Sequence, residues 1–171
     1  MKKESYLSWS SYFMSIAVLS AFRSKDAKTQ NGACIADKNN KVIGIGYNGL
    51  PTGCDDDDPD FWADNDDDVL QSKHTYVVHA EQNAIYNCML NDFEGSTIYA
   101  TQFPCHACAQ AIIQVGISKV VYLRRKEGDH HEKYFQAVCK MFNQADVEYQ
   151  HITEVEGFDQ QFLDGIVNLA P

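Results

Sequence analysis

The two segments that most constrain this chain are 79–81 (His-Ala-Glu) and 104–108 (Pro-Cys-His-Ala-Cys). Together they supply one imidazole, two thiols and one carboxylate. One imidazole and two thiolates are typical ligands of a catalytic zinc ion, which keeps its fourth tetrahedral position open for water. Zinc lowers the pKa of that water from about 16 toward about 7, and a carboxylate that is not a ligand transfers protons as a general acid–base. We therefore predict that His79, Cys105 and Cys108 bind one catalytic Zn²⁺ and that Glu81 is the catalytic proton carrier.

The spacing within each segment fits this division of roles. Apolar residues at helical spacing follow Glu81, so His79 and Glu81 lie in the first turn of a predicted helix and face one cavity. Pro104 suits the first turn of a second helix, and Cys105 and Cys108 share one of its faces. A helix N-terminus also favours the thiolate form of a cysteine.

The alternative for the Cys-x-x-Cys pair is a closed structural zinc site or a redox pair. A closed site needs a fourth ligand, which Cys88 or His106 would have to supply. Cys88 lies far along the helix that begins at the 79–81 segment, and His106 points away from the face that the two cysteines share. The sequence therefore favours the open, catalytic site.

The charge balance bears on the partners of the protein. With 171 residues, 44% of them hydrophobic, the chain fits a single globular domain over 1–171. Its net charge is −10, from 14 basic and 24 acidic residues. Because nucleic-acid-binding proteins usually carry a basic face, we expect a small-molecule partner and no nucleic-acid partner. A small anionic substrate would then need a local basic pocket in an otherwise acidic protein.

The sequence also bears on cellular location. It contains no apolar run of about 18 residues and no signal-peptide pattern, so we expect a cytoplasmic protein without a membrane partner. The six cysteines of such a chain fit reduced thiols and metal ligands. Two of them, Cys34 and Cys139, are expected to be small core residues.

Hydrophobic periodicity predicts strands that alternate with helices. Such a pattern indicates an α/β protein with three layers, a central mixed five-stranded sheet and helices on both faces. The opening helix has Ser8 or Ser10 as its cap. The predicted strands are 32–36, 41–47, 96–100, 119–123 and 147–152, and the predicted helices, besides the two at the zinc segments, are 5–22, 132–143 and 158–169.

An acidic loop is predicted over about 54–75, and a C-terminal extension over about 153–171. The part of the loop from 55 to 68 holds nine aspartates. Such a run repels itself and favours a solvated loop. Binding of a divalent cation is the alternative, although the spacing of a known calcium loop is absent. His74 is expected on the surface of this loop, with a second metal ligand as the alternative, and His130 and His131 are expected in a polar loop without an evident role.

Several further segments connect the zinc motif to a known family. They are 21–26 (Ala-Phe-Arg-Ser-Lys-Asp), 44–54 (with Gly-Tyr-Asn-Gly-x-Pro-x-Gly-Cys), 76–84, 103–109 and 112–117. Over about 12–147 the chain resembles the deoxycytidylate (dCMP) deaminases, a branch of the zinc-dependent cytidine/deoxycytidylate deaminase family. The zinc segments alone fit the whole superfamily, whereas Arg-Ser-Lys-Asp and the Gly-Tyr-Asn-Gly segment narrow the resemblance to this branch.

The resemblance implies a cytidine-deaminase-like fold and hydrolytic deamination of dCMP to dUMP and ammonia, with dUMP feeding thymidylate synthesis. Water activated by zinc would attack C4 of cytosine, and Glu81 would protonate N3 and then the amine. It also implies substrate contacts, each with a structural alternative. Asn48 beside Gly49 also suits a turn, Arg23 and Lys25 also suit a helix C-terminus, and Phe103 also suits the core. The implied contacts are Asn48 with the nucleoside, the Ala80 N–H with the pyrimidine carbonyl, Phe103 with the base, and Arg23, Ser24 and Lys25 with the 5′-phosphate.

The resemblance further implies a homo-oligomer, often a hexamer, that is activated by dCTP and inhibited by dTTP, with Mg²⁺ accompanying the regulatory nucleotide. Two positions depart from the family pattern, Asn31 before Gly-Ala and Gln110 after the second cysteine. The acidic loop is also an unusual surface for a triphosphate, so an unregulated member is the alternative. The residues implied for regulation are Gly49, Gly53, Cys54 and Asp55.

Other functions compete with this interpretation. The enzyme alternative is deamination of another cytosine compound, such as deoxycytidine, a 5-substituted dCMP or dCTP. A tRNA adenosine deaminase is disfavoured by the acidic charge. A zinc protein that senses nucleotides without catalysis is the alternative from another class, and Glu81 argues against it.

Overall fold

Five strands form one sheet in the order β2-β1-β3-β4-β5. A computed structural model of the chain describes residues 1–4, 6–88 and 92–168. Strand β1 is antiparallel to both of its neighbours, whereas β3, β4 and β5 run parallel to one another. The predicted mixed sheet of five strands is therefore confirmed. The strands are β1 (Gly32–Ala36), β2 (Val42–Tyr47), β3 (Thr97–Gln102), β4 (Lys119–Arg124) and β5 (Glu148–His151).

Helices cover both faces of this sheet. The described helices are α1 (Trp9–Ala21), α2 (Lys73–Tyr76), α3 (Ala80–Tyr86), α4 (His106–Val115), α5 (Asp129–Gln144) and α6 (Gln160–Val167). None of these helices has the length and apolar character that crossing a membrane requires.

The alternation of side chains along the central strands creates two cores. In β1, Ala33 and Ile35 join one core, while Cys34 joins the other. The first core is completed by α3, α4 and α5, with Phe142 fully buried. The second is completed by α1 and α6 around the buried Phe13. Because every residue of β1 is buried, the sheet is covered on both faces and the predicted three-layer architecture is confirmed.

Glycines in β2 bring α3 unusually close to the sheet. A Cβ atom at Gly46 would lie 2.2 Å from the backbone nitrogen of Ala84 and 2.3 Å from the backbone oxygen of Ala80. A Cβ at Gly44 would lie 2.5 Å from the backbone oxygen of Ala84. No side chain fits in that space. The glycines of β2 therefore determine where α3, and with it the segment 79–81, lies against the sheet.

Most predicted helices lie where the periodicity placed them. Helix α1 begins at Trp9, and the side chain of Ser8 accepts a hydrogen bond from the backbone N–H of Ser11 at 3.2 Å, so Ser8 is its cap. Helix α6 confirms the short helix predicted in the tail, and Cys34 and Cys139 are buried as expected. Residue 5, at the start of the first predicted helix, and residue 169, at the end of the last, are outside the described residues.

The start of α5 corrects one prediction. The helix begins at Asp129, three residues before the predicted start, so His130 and His131 lie in its first turn and not in a loop. Gly128 precedes it with a φ of 106°, a conformation that glycine adopts without strain. Asp129 and Glu132 lie in the first turn, where negative side chains interact favourably with the helix dipole.

The acidic segment is more structured than a solvated loop. It contains two short 3₁₀ turns, Pro59–Trp62 and Val69–Gln71, and is followed by the unpredicted helix α2. Ion pairs attach it to the segment after α1. Lys25 Nζ lies 2.6 Å from Asp56 Oδ2, and Lys28 pairs with Asp64. The aspartate run therefore lies against lysines of the folded body.

Candidate active site

The three predicted zinc ligands lie together. Nδ1 of His79 lies 3.4 Å from Sγ of Cys105 and 3.4 Å from Sγ of Cys108. Zinc bonds of about 2.3 Å to sulfur and about 2.0–2.1 Å to nitrogen, at tetrahedral angles, separate nitrogen from sulfur by about 3.5 Å. Both nitrogen–sulfur separations therefore match those of a tetrahedral zinc site, and all three donor atoms lie within 4.8 Å of one another.

The donor cluster forms where helices α3 and α4 begin, next to the end of strand β4. His79 is the N-cap of α3, and Cys105 is the N-cap of α4, so both side chains project from the first turn of a helix. Pro104 corrects a detail of the prediction, because it precedes the N-cap and does not lie in the helix. The segment between β3 and α4 is held to the end of β4, where the backbone N–H of Phe103 donates to the oxygen of Arg124 at 2.7 Å.

The two thiols of this cluster, Cys105 and Cys108, have their pKa values shifted in opposite directions. A hydrogen bond from Cys108, together with the contact to His79, lowers the pKa of Cys105 to about 3. The same contact with Cys105, together with burial, raises the pKa of Cys108. The hydrogen bond with Cys105 also raises the pKa of His79. The contacts thus favour the thiolate form of Cys105 over that of Cys108, and the thiolate is the form that binds metal.

Glu81 lies beside the cluster without belonging to the donor set. Its side chain is only 6% exposed, and Oε2 lies 3.5 Å from Sγ of Cys108. Burial raises the pKa of this carboxyl above the ordinary value for glutamate. A raised pKa allows a carboxyl group both to accept and to release a proton near neutral pH.

A cavity of about 470 Å³ opens in front of these residues. Its wall includes His79, Glu81 and Cys105, whereas Cys108 lies behind it and is fully buried. A cavity of this volume is typical of a site for a small molecule. The carboxylate and the donor cluster therefore face a common space that a small substrate can enter.

Comparison with known proteins identifies this arrangement. The family model of the cytidine and deoxycytidylate deaminase zinc-binding region matches residues 7–124. The chain belongs to this deaminase family. The match contains both zinc segments and the Gly-Tyr-Asn-Gly segment, so it covers the same features from which the resemblance was drawn.

Individual relatives are similar over most of the chain. Deoxycytidylate deaminase of Homo sapiens is 45% identical over 149 residues, which cover 87% of this chain and 82% of the human protein. Probable deoxycytidylate deaminase of Drosophila melanogaster is 45% identical over 159 residues, covering 90% and 77%. A crystal structure of dCMP deaminase from the cyanophage S-TIM5, in complex with dCMP and dUMP, superimposes with a TM-score of 0.59 at 25% identity, covering 82% and 93%. The fold of this family member is thus that of a dCMP deaminase.

Asn48 connects the cavity to the segment after α1. It is 6% exposed and lines the cavity. Its side-chain amide accepts a hydrogen bond from the backbone N–H of Asn31 at 2.8 Å and donates to the oxygen of Thr29 at 2.9 Å. Each end of the amide retains a second hydrogen or lone pair. Asn48 therefore has a structural role beyond a turn and still presents polar atoms to the cavity.

Ala80 and Phe103 also lie in the cavity wall. Ala80 is the first residue of α3, where backbone N–H groups have no partner within the helix. Phe103 is 9% exposed, and its ring centroid lies 4.6 Å from that of Phe135 and 4.9 Å from that of Tyr122. Phe103 is therefore at once a core residue and part of the wall.

The structure does not place Arg23, Ser24 and Lys25 in the wall of the cavity. The guanidinium of Arg23 lies 6.0 Å from the ring centroid of Tyr47. The hydroxyl of Ser24 donates a hydrogen bond to the backbone oxygen of Asn48 at 2.8 Å, so Ser24 helps to fix the backbone of that residue. Lys25 pairs with the acidic segment, as described above. Their role in phosphate binding stays a prediction.

The residues predicted for regulation also lie outside the cavity wall. Gly49 forms a β-bridge with Val78, in which Gly49 N–H donates at 3.1 Å and Val78 N–H donates at 2.9 Å. Gly53 has a φ of 95°, and Cys54 N–H donates to the oxygen of Pro51 at 3.1 Å. The carboxylate of Asp55 accepts a hydrogen bond from the backbone of Asp57 at 3.0 Å. The bridge at Gly49 joins this segment to the residue directly before His79.

A buried ion pair in the cavity wall was missed by the sequence analysis. Lys73 Nζ donates to both carboxylate oxygens of Asp26, and both residues are 5% exposed. Burial alone would raise the pKa of Asp26, but hydrogen bonds from Lys73 and from the backbone N–H groups of Lys28 and Thr29 outweigh it and hold the pKa below the ordinary value. Nothing in the sequence pairs residues this far apart.

A second group that the sequence analysis missed follows β4. Arg125 and Lys126 line the cavity, together with His130, His131 and Tyr134 of α5. His74 also reaches the wall, although its side chain is 58% exposed, as a surface residue should be. The acidic net charge led us to expect a local basic pocket for an anionic substrate, but no pattern in the sequence pointed to these residues.

Proposed function

We propose that this family member catalyses the hydrolytic deamination of dCMP to dUMP and ammonia, and so supplies dUMP for thymidylate synthesis. The observation that carries the proposal is the buried carboxyl of Glu81 beside three donor atoms that match zinc geometry, all at one cavity. The human and Drosophila relatives carry the name deoxycytidylate deaminase, and the cyanophage enzyme was crystallised with dCMP and dUMP. The substrate is thus proposed from the relatives and the chemistry from the site.

His79, Cys105 and Cys108 would hold the zinc ion. The nitrogen of His79 has the required separation from both sulfur atoms, and the hydrogen bonds to Cys105 lower the pKa of its thiol. When bound, zinc supplies hydroxide at neutral pH by lowering the pKa of water toward about 7. A set of three protein ligands would leave one position of the ion for water, and His79 and Cys105 line the cavity that the substrate would enter.

Glu81 moves the protons of the reaction. It accepts one proton of the attacking water and passes it to N3 of cytosine, while the water oxygen bonds to C4 and the C4=N3 double bond becomes a single bond. It then takes the proton of the new C4 hydroxyl and delivers it to the exocyclic amine, so that the C4–N bond to the amine breaks, C4=O forms and ammonia leaves. The raised pKa of Glu81 suits both steps, because the carboxyl must hold each proton before releasing it.

The substrate is oriented by polar groups in the cavity wall. Asn48 offers the free hydrogen and lone pair of its anchored amide to the nucleoside. The backbone N–H of Ala80 is available to the pyrimidine carbonyl, and the ring of Phe103 forms a wall beside the base. Each of these groups is held by the fold before substrate arrives, which lowers the entropic cost of binding.

Regulation and assembly are part of the same proposal. We infer activation by dCTP and inhibition by dTTP with Mg²⁺ at the segment 49–55, because the bridge between Gly49 and Val78 ties that segment to the ligand His79. We infer a homo-oligomer because Ile45 on the edge strand β2 and Tyr86 on α3 are 42% and 68% exposed, and the resemblance makes a hexamer the expected form. Light scattering of the zinc-loaded protein tests the assembly, and ammonia release with and without each effector tests the regulation.

The test of the activity is ammonia release from zinc-loaded protein with dCMP, deoxycytidine and dCTP in parallel. A preference for dCMP supports the proposal. Equal or better turnover of another compound would show that this protein is a different cytosine deaminase. Turnover of none of them, with zinc bound, would favour a silent nucleotide sensor and overturn the proposal.

A further inference from the structure

Basic side chains line part of the cavity of this acidic protein. The chain has a net charge of −10, yet among the described residues of the cavity wall just two, Asp26 and Glu81, are acidic. Asp26 is neutralised by its ion pair with Lys73. The part of the wall that follows β4 contains the residues that we call the basic rim: Arg125, Lys126, His130 and His131.

The sheet explains why the basic rim lies beside the zinc ligands. Strands β3 and β4 are parallel neighbours, and Gln102 pairs with Arg124 at their carboxyl ends. The chain that leaves β3 leads to Cys105, and the chain that leaves β4 continues into Arg125 and Lys126. In open α/β sheets, ligands bind at the carboxyl ends of the strands. The rim and the donor cluster are therefore two parts of one binding site.

Arg125 is already oriented in the absence of substrate. Its guanidinium lies 4.6 Å from the ring centroid of Phe135, and Nη1 lies 3.4 Å from Oε2 of Glu132. The contact with Glu132 uses Nη1, so the remaining N–H donors of the fork stay available. Lys126 has no ion-pair partner within the described part of the chain. A guanidinium fork beside an ammonium is a suitable pair of groups for a phosphate.

The other candidate cations, residues 23–25 and Lys73, are less suited to this task. Lys25 is paired with Asp56, and the hydroxyl of Ser24 is used by Asn48. Arg23 lies over Tyr47 and outside the cavity wall. Lys73 does line the cavity, but its ammonium group already donates hydrogen bonds to both carboxylate oxygens of Asp26. The basic rim is thus the part of the wall whose positive charge faces the cavity.

We propose that the basic rim binds the 5′-phosphate of the substrate and determines the preference for a nucleotide over a nucleoside. This proposal rests on the proposed function, because it assigns the phosphate of the same substrate. With the base at Glu81, the phosphate is bound by Arg125 and Lys126, and His130 and His131 complete that part of the wall. Neither Arg125 nor Lys126 takes part in proton transfer, so both are specificity-determining residues.

The test compares three double variants with the parent enzyme. Arg125→Gln/Lys126→Gln removes two charges from the rim, and Arg23→Gln/Lys25→Gln removes two from the competing segment. Lys133→Gln/Lys140→Gln is the matched control, because it removes two exposed charges of α5 that do not line the cavity. The kcat/KM for dCMP and for deoxycytidine is measured for each, with zinc content and circular dichroism as controls of folding.

We expect kcat/KM for dCMP to fall about 100-fold in the rim variant, mainly through KM, because two charge-assisted hydrogen bonds are lost. The value for deoxycytidine should change by less than about threefold, since that substrate has no phosphate. An equal loss for both substrates in the rim variant overturns the proposal. So does a selective loss of dCMP turnover in the Arg23→Gln/Lys25→Gln variant with none in the rim variant.

A binding measurement separates this proposal from the proposed function. Calorimetric titration with dUMP and with deoxyuridine measures phosphate recognition without turnover. If the parent protein does not deaminate dCMP, the proposed function fails, while the titration still decides the role of the rim. We expect dUMP to bind the parent protein more tightly than deoxyuridine and the rim variant to lose most of that difference. Equal affinities in the parent protein, or a difference that the rim variant retains, overturn the proposal.

Discussion

Lys73 Nζ lies 2.7 and 2.8 Å from the two carboxylate oxygens of Asp26, and the two side chains are only 7% and 6% exposed. The pair joins the start of α2 to the segment after α1, and both residues face the cavity. Removal of one partner of a buried ion pair leaves the other charge without compensation. The site wall thus depends on a contact between residues that are distant in the chain.

Asp26→Asn should therefore lower the free energy of unfolding by about 3–5 kcal/mol, and Lys73→Met by a similar amount. The double variant Asp26→Asn/Lys73→Met should be more stable than either single variant, since it leaves no unpaired charge. Urea unfolding of the parent protein, the two single variants and the double variant gives the coupling energy between Asp26 and Lys73 directly. Strict additivity of the two single effects would show that the pair contributes nothing.

The same pair predicts a pH dependence. The pKa of Asp26 is lower in the folded than in the unfolded protein, so its stabilising effect is complete above the unfolded value of about 3.9 and is lost as the pH falls through the folded pKa. The stability difference between the parent protein and Asp26→Asn should therefore be constant from pH 7 to about pH 5 and shrink below about pH 4. Both proteins share the zinc ligands, so metal loss cancels in the comparison. A difference that grows on acidification would contradict the assignment.

Glu81→Gln should abolish most of the turnover and leave the metal site intact. The amide keeps the shape of the side chain but carries no proton between water and the amine, so kcat should fall by about 10²–10⁴-fold or more. Because Glu81 lies outside the donor cluster, the zinc content should stay at one ion per chain. Ammonia release and elemental analysis measure the two effects, and unchanged turnover would refute the proposed mechanism.

Cys105→Ser should remove zinc binding, whereas Cys88→Ser should not. Cys105 belongs to the donor cluster, and Cys88 does not. Zinc at 100 times its dissociation constant adds about 2.7 kcal/mol of stability, which raises Tm by about 5–10 °C in a domain of this size. Removal of zinc by a chelator, followed by thermal scans with and without added zinc, checks this. Loss of the zinc effect in Cys88→Ser would favour the closed structural site instead.

Gly46→Ala should disturb the site from outside the cavity. The new methyl group would meet the backbone of α3 at 2.2 and 2.3 Å, so the helix must shift, at a cost of at least about 3 kcal/mol. Zinc affinity should fall with it, because His79 caps that helix. Gly165→Ala is the control, since the methyl group there meets nothing within 4 Å and should add about 0.5–1 kcal/mol of stability in the helix. Equal stability of the two variants would show that α3 can move without cost.

The zinc cluster and the sheet were predictable because their signals are local. The donor types and their spacing indicated the metal, and the carboxylate two residues from His79 indicated the proton carrier. The alternation of hydrophobic residues predicted all five strands. The start of α5 was predicted too late because its first turn is polar, so hydrophobic periodicity begins only after the histidines that line the cavity.

The sequence by itself thus determined the fold class, the donor set and the carboxylate, since each depends on residue type and on spacing within a few turns of chain. Only the tertiary structure decided which charges face the cavity. Lys73 meets Asp26 across 47 positions of sequence, and Arg125 reaches the site because β4 lies parallel to β3. Arg23 and Lys25, the cations that the resemblance implied for the phosphate, lie against Tyr47 and Asp56. Such pairings depend on which strands become neighbours, and no local pattern encodes that.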